Sequence, residues 1–204
     1  MDVKEIRKLV DKFAQVVGGG KLIIVDVQPE YEGFIGFDIG ELLGVAVGYS
    51  RILVLWNGPE LGMSSEEDLR RYYLEKMNYD EELYEEFISR AEFFDKGYGF
   101  FREIMDHPCF SSEDVEKIAG YMIDNEIRDI RDLGEGDVEL IGVDELLVED
   151  LEGYGFFIPD LKDVLKDWSG ADLVGGQERE CLAEVEVLSK VMGIGLNKIR
   201  KFIY

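Results

Sequence analysis

The chain is poor in residues that would declare its chemistry. Its 204 residues include two cysteines, Cys109 and Cys181, one histidine, His107, and four prolines. Two cysteines in 23.3 kDa do not make a disulfide framework, and free thiols suit a reducing cytosol. No apolar run approaches the roughly 20 residues of a membrane span. The opening "MDVKEIRKLVDKFAQVV" is an amphipathic helix pattern, charged throughout where a signal peptide would be apolar. A soluble, cytoplasmic protein is expected. Basic residues are scarce too: 22 Lys and Arg face 45 Asp and Glu, giving a net charge of −23. Such a surface repels phosphates and anionic lipid heads, so neither nucleic acid nor membrane is expected as a partner. Three readings of the acidity stay open: a heavily solvated surface, a face for a basic protein partner, and a decoy for DNA-binding proteins.

What is present suits a globular core. Hydrophobic residues make up 46% of the chain and aromatics 12%, so the charge does not imply disorder. "KLIIVDV" (21–27) and "RILVLWNG" (51–58) are short apolar, β-branched runs closed by Gly, Pro or Asn. They read as strands buried on both faces, as in a parallel sheet. "AEFFDKG" (91–97), "ADLVGG" (171–176) and "RKFIY" (200–204) are further strand candidates. Between them, "DIGELLGVAVGY" (38–49), residues 64–91, "SSEDVEKIAGYMIDNEI" (111–127), "DLKDVLKDW" (160–168) and "ECLAEVEVLSKVM" (180–192) carry helical periodicity. Ser64 or Ser65 and the Ser111–Ser112 pair supply N-caps followed by acids. "VELIGVDELLVED" (138–150) fits strand or helix. The alternation predicts an α/β fold: a Rossmann-like three-layer sandwich with a central, mostly parallel sheet. No Pro/Ser-rich linker divides the chain, so one domain over 1–204 is expected, with an insertion near 106–150.

The pentapeptide Gly-Tyr-Gly-Phe-Phe occurs twice, after Lys96 and after Glu152. The flanks, "AEFFDK…REIMDH" and "LVEDLE…IPDLKD", share little else, which argues against duplication and for a recurring junction between a strand or loop and a helix.

In an open α/β sheet, ligands bind beyond the carboxyl ends of the strands. Asp26, Lys96 and Cys181 fall at or near such ends. In this order the residues resemble the isochorismatase-like cysteine hydrolases, which include nicotinamidases. "LIIVDVQPEYE" (22–32) is similar to that family's opening strand ending in Asp, with Gln close behind. "FFDKGYGFF" (93–101) resembles the segment in which Lys precedes an aromatic loop, and "ADLVGGQERECLAEVEVL" (171–188) the final strand, Gly and helix-opening Cys. The resemblance implies a catalytic triad of Asp26, Lys96 and Cys181, no cofactor, a small-amide substrate cleaved at its C–N bond, and self-association into a homo-oligomer. It also implies an oxyanion hole near Gln177 and Cys181, preceded by a cis peptide whose matching bond is Gly176–Gln177. Gln28 would join Gln177 in binding substrate. Trp56, Asn57 and Glu60, after the second strand, would either line the same crevice or simply pack, and Glu178, Arg179 and Glu180 would either read a polar substrate or simply solvate a helix start.

The chain also departs from the family. "LWNGPELGM" stands where nicotinamidases place Asp and histidine metal ligands, so no metal site is expected. The second GYGFF copy puts Glu152 at nearly the family's Lys-to-Cys distance. Cys109, between Pro108 and Phe110, reads as a core residue, and His107 as a loop residue. Two other classes of function remain: an inactive acidic scaffold on the same fold, and a nuclease gathering Mg²⁺ or Mn²⁺ on Asp26, Glu30, Asp38, Asp124 and Asp129.

Overall fold

The computed structural model describes residues 20–97, 104–105 and 107–204. The helix expected over the first residues, and the part of the first GYGFF copy beyond Gly97, lie outside them. Five strands form one all-parallel sheet: β1 (Lys21–Val25), β2 (Arg51–Trp56), β3 (Ala91–Asp95), β4 (Asp172–Gly175) and β5 (Asn197–Ile203), in the order β3-β2-β1-β4-β5. Helices flank it, giving the expected Rossmann-like α/β arrangement. Three strands are buried because their sequences leave nothing to expose. Leu22 to Val25, Ile52 to Leu55 and Leu173 are at most 1% accessible, and each such aliphatic side chain contributes about 1.5–3 kcal/mol. The edges are treated differently: β3 is half-exposed, and β5 carries Lys198, Arg200 and Lys201, which discourage pairing with another chain.

The chain separates into two compact units. The first comprises 1–98, 170–182 and 196–204 and holds the sheet; the second comprises 99–169 and 183–195, and so includes the region read as an insertion.

In the first unit α1 (Ile39–Ala46) is capped by Asp38, whose carboxylate accepts from the Glu41 amide. The stretch 64–91, expected as continuous helix, is two helices: α2 (Glu66–Lys76) and α3 (Glu81–Ile88). Asn78 and Tyr79 between them take left-handed φ of 55° and 58°, and Asp80 caps α3. Ser65 and Asp68 close a reciprocal capping box on α2. Leu42, Leu43, Tyr73 and Phe87 pack with Leu22, Ile24, Ile52 and Val54 in the core of this unit.

The second unit contains α4 (Ser112–Asp124), α5 (Glu135–Ile141), α6 (Glu145–Tyr154) and α7 (Leu161–Leu165). The ambiguous 138–150 stretch is thus helical, broken where Gly142 turns left-handed. The second GYGFF copy ends a helix and does not join a strand to one. Glu152 and Tyr154 belong to α6, Gly155 closes it at φ 72°, and Phe156 is buried. Cys109 is exposed, against expectation: in the turn after Pro108 its amide donates to His107 Nδ1, while Phe110 takes the buried position. The last helix, α8 (Cys181–Val191), starts in the first unit and continues into the second.

Candidate active site

Strand order fixes where a site can form. From β1 the chain steps outward through β2 and β3, then returns to the other side of β1 as β4. The loops leaving β1 and β4 therefore diverge from adjacent strands and open a crevice at their carboxyl ends. Asp26 leaves β1 with φ 51°, a left-handed conformation that Asp tolerates better than most residues. Its amide remains tied to the Leu55 carbonyl at 2.9 Å. On the other side Gly175 has φ 100°, and a Cβ there would lie 2.0 Å from the Val25 carbonyl oxygen. A Cβ on Gly176 would strike the Tyr204 ring at 2.6 Å. The two glycines let β4 close against β1 and let Tyr204 reach the crevice. The Gly176–Gln177 peptide is cis.

Three side chains far apart in sequence meet there, all within the first unit. Lys96 Nζ lies 3.1 Å from Asp26 Oδ2, with the two side chains 3% and 1% accessible. Cys181 borders the same cavity as this carboxylate and is among the groups that lower its pKa. Burial pushes the Asp26 carboxyl above the usual aspartate range, against the opposing pull of the Lys96 charge and of Cys181. Cys181 opens α8, where the helix dipole favours a developing thiolate. The Gln177 carbonyl accepts from the Glu180 and Leu182 amides at 3.0 and 3.1 Å and so fixes the helix start.

Behind the pair runs a chain of hydrogen bonds. Lys96 Nζ donates to Asn57 Oδ1 at 2.9 Å, and Asn57 Nδ2 donates to the Tyr31 hydroxyl at 3.1 Å. Gln28 clamps the Asn57 backbone, accepting from its amide at 3.0 Å and donating to its carbonyl at 3.3 Å. Gln28 also donates to Glu30, which accepts from the Ser64 amide and hydroxyl. Asn57 is thus turned toward the lysine, Gln28 toward the Asn57 backbone and Glu30, and Trp56 packs into the apolar core. None of these three borders the cavity.

The cavity holds about 230 Å³ and is bounded by Asp26, Tyr31, Phe34, Gln177, Glu180, Cys181 and Tyr204. Tyr31, Phe34 and Tyr204 were not legible as site residues. Tyr204 enters because its hydroxyl donates to the Asp26 carbonyl at 2.8 Å, while its own carbonyl accepts from the Glu178 amide at 2.7 Å. Lys96 meets Asp26, and Glu152, the competing copy, is an exposed helix residue of the second unit.

The carboxylates considered for a metal are engaged separately. Asp38 caps α1, Asp129 is held by Arg131, and Asp26 faces Lys96. Among the described residues no three His, Cys, Asp or Glu side chains gather into a metal-binding group. Nor is any described helix long and apolar enough to cross a membrane. No family model, curated protein or solved structure matches the chain.

Proposed function

We propose that the chain is a cysteine hydrolase of the isochorismatase-like kind, cleaving the C–N bond of a small amide. The observation that carries the reading is one arrangement: a buried Asp26–Lys96 ion pair beside a small cavity that Asp26 shares with a helix-opening thiol, Cys181. The resemblance in the order Asp, Lys, Cys supports it independently of the geometry.

The chemistry follows from the positions. Asp26 takes the Cys181 proton as sulfur attacks the amide carbon, so an S–C bond forms and the carbonyl π pair moves to oxygen. A carboxyl with a raised pKa suits this step, because once protonated it can hand the proton to the leaving nitrogen. The C–N bond then breaks and leaves a thioester on Cys181. Water, giving a proton to Asp26, attacks the thioester, and the proton returns to the departing sulfur. Lys96 keeps a positive charge beside Asp26 throughout and is itself held by Asn57. The Cys181 backbone amide, between two amides that the Gln177 carbonyl takes up, would serve the oxyanion, such a donor being worth roughly 2.7–4 kcal/mol when deleted.

The test is amine release from a panel of small amides, with the acyl-enzyme trapped by acid quench and located by peptide mass mapping. The reading expects a thioester on Cys181 and its loss, with turnover, in Cys181→Ala. Turnover that survives Cys181→Ala, or no adduct at Cys181 with any member of the panel, would refute it.

A further inference from the structure

The walls of the cavity say more about its occupant than the triad does. Three of the seven described side chains that bound it are aromatic: Tyr31, Tyr204 and Phe34, the last 68% exposed at the mouth. The reacting carboxylate already has a counter-charge in Lys96, buried behind it. A second carboxylate, Glu180, stands at the rim, and among the described residues it has no ion-pair partner.

The contrast with its neighbour is informative. Glu178 is drawn away to β5, where Arg200 Nη1 lies 2.6 Å and Lys198 Nζ 3.7 Å from its carboxylate. Glu180 meets a neutral group. With the Gln177 side-chain nitrogen turned toward it, the amide donates to both carboxylate oxygens at 2.6 and 3.2 Å. Such a donor orients the carboxylate and leaves its charge intact. Among the described residues no lysine or arginine borders the cavity. An entering molecule thus meets aromatic faces, whose quadrupoles attract cations, and one oriented, uncompensated negative charge, on a protein of net charge −23.

We infer that the site selects a small amide bearing a positively charged nitrogen, with Glu180 as its counter-ion and Tyr31, Phe34 and Tyr204 as its cage. The inference rests on the cysteine-hydrolase reading for the word amide, and on the cavity alone for the word cationic. Size sets a limit as well. A cavity of about 230 Å³ equals the liquid volume of roughly seven or eight waters at about 30 Å³ each, so the bound part of the substrate is small. A carboxylate- or phosphate-bearing substrate is disfavoured on entry, because Glu180 and the net charge both repel it.

The chain carries its own control for this test in the exposed Cys109. Two thiol reagents of matched size, trimethylammonioethyl and sulfonatoethyl methanethiosulfonate, would be applied to the whole protein, with rates at each cysteine read by mass mapping. Neutral iodoacetamide would report on nucleophilicity alone. The cation-to-anion rate ratio at Cys181, divided by that at Cys109, removes the effect of overall charge. It is expected to be at least about tenfold, as a charge contact at about 4 Å in a partly screened site gives, and to fall several-fold in Glu180→Gln. Equal ratios at the two cysteines, or a ratio that Glu180→Gln leaves unmoved, would overturn cation selection while an iodoacetamide-reactive Cys181 kept the nucleophile. A Cys181 inert to all three reagents would overturn both readings.

Discussion

Replacing Lys96 by Met asks whether the buried pair behaves as its geometry requires. Unit charges 3.1 Å apart attract by about 5 kcal/mol at an effective dielectric of about 20. Against this stands a desolvation cost of several kcal/mol per ion. The direction of the Asp26 shift shows that burial outweighs its partners, since the carboxyl sits above its ordinary value even with Lys96 beside it. Without the lysine only the thiol opposes burial, and the carboxyl rises further. A carboxyl whose folded pKa exceeds its unfolded one contributes stability that is full below the unfolded value, about 3.9, and lost as pH rises through the folded value. Both proteins follow that sign, the variant up to a higher pH. Near pH ~8 the variant should be less stable than the parent by about 3–5 kcal/mol, the usual cost of breaking a buried pair. As pH falls the gap should close by up to about 1.4 kcal/mol per unit. At the acid end, once Asp26 is protonated in both, the variant should match or exceed the parent, because it no longer buries an ammonium. Urea denaturation across this range, comparing the two proteins at each pH, measures the gap and cancels the other carboxylates. A gap independent of pH would refute the reasoning, because it would mean that Lys96 acts through packing and not through the Asp26 charge.

Other outcomes follow from individual contacts. Asn57→Leu removes the acceptor of the Lys96 ammonium and should cost about 1.5–3 kcal/mol in urea melts, the range for a hydrogen bond to a charged group, while slowing alkylation of Cys181. Gly175→Ala, which needs a left-handed backbone and a Cβ 2.0 Å from the Val25 oxygen, should lower stability by about 2–5 kcal/mol; an unshifted urea midpoint would show that β4 and β1 do not approach as described. Ser65→Ala breaks the capping box of α2 and should cost about 1 kcal/mol without affecting Cys181. Tyr204→Phe deletes the hydroxyl that holds the Asp26 carbonyl, for about 1 kcal/mol, and a change in Cys181 alkylation rate would show whether this bond also sets the carboxylate's aim.

The sheet was legible because β1, β2 and β4 are apolar on both faces, a pattern that few other structures use. Asp26 stood out for the same reason, as a charge ending such a run. Lys96 and Cys181 could be placed at strand ends, but their meeting depends on strand order, which no local pattern contains. Asn57 was visible beside a strand end and misread in direction: its side chain faces the lysine and leaves the cavity wall to Tyr31. Tyr204 carried no signal, since its contact with Asp26 joins residues 178 positions apart. The break between α2 and α3 did carry one. Asn78 and Asp80 are turn and capping residues, and a helical periodicity on both sides hid them. The twin pentapeptides show how weak five residues are against context: Gly155 ends a helix because an amphipathic helix precedes it, and Gly97 follows a strand.

The most direct measurement is the rate of iodoacetamide capture at Cys181 at neutral pH, read by peptide mapping beside Cys109 in the parent and in Asp26→Asn. An activated nucleophile predicts that Cys181 reacts well ahead of the exposed Cys109, and that Asp26→Asn removes the advantage. A Cys181 slower than Cys109, or as fast with asparagine at position 26 as with aspartate, would contradict the account.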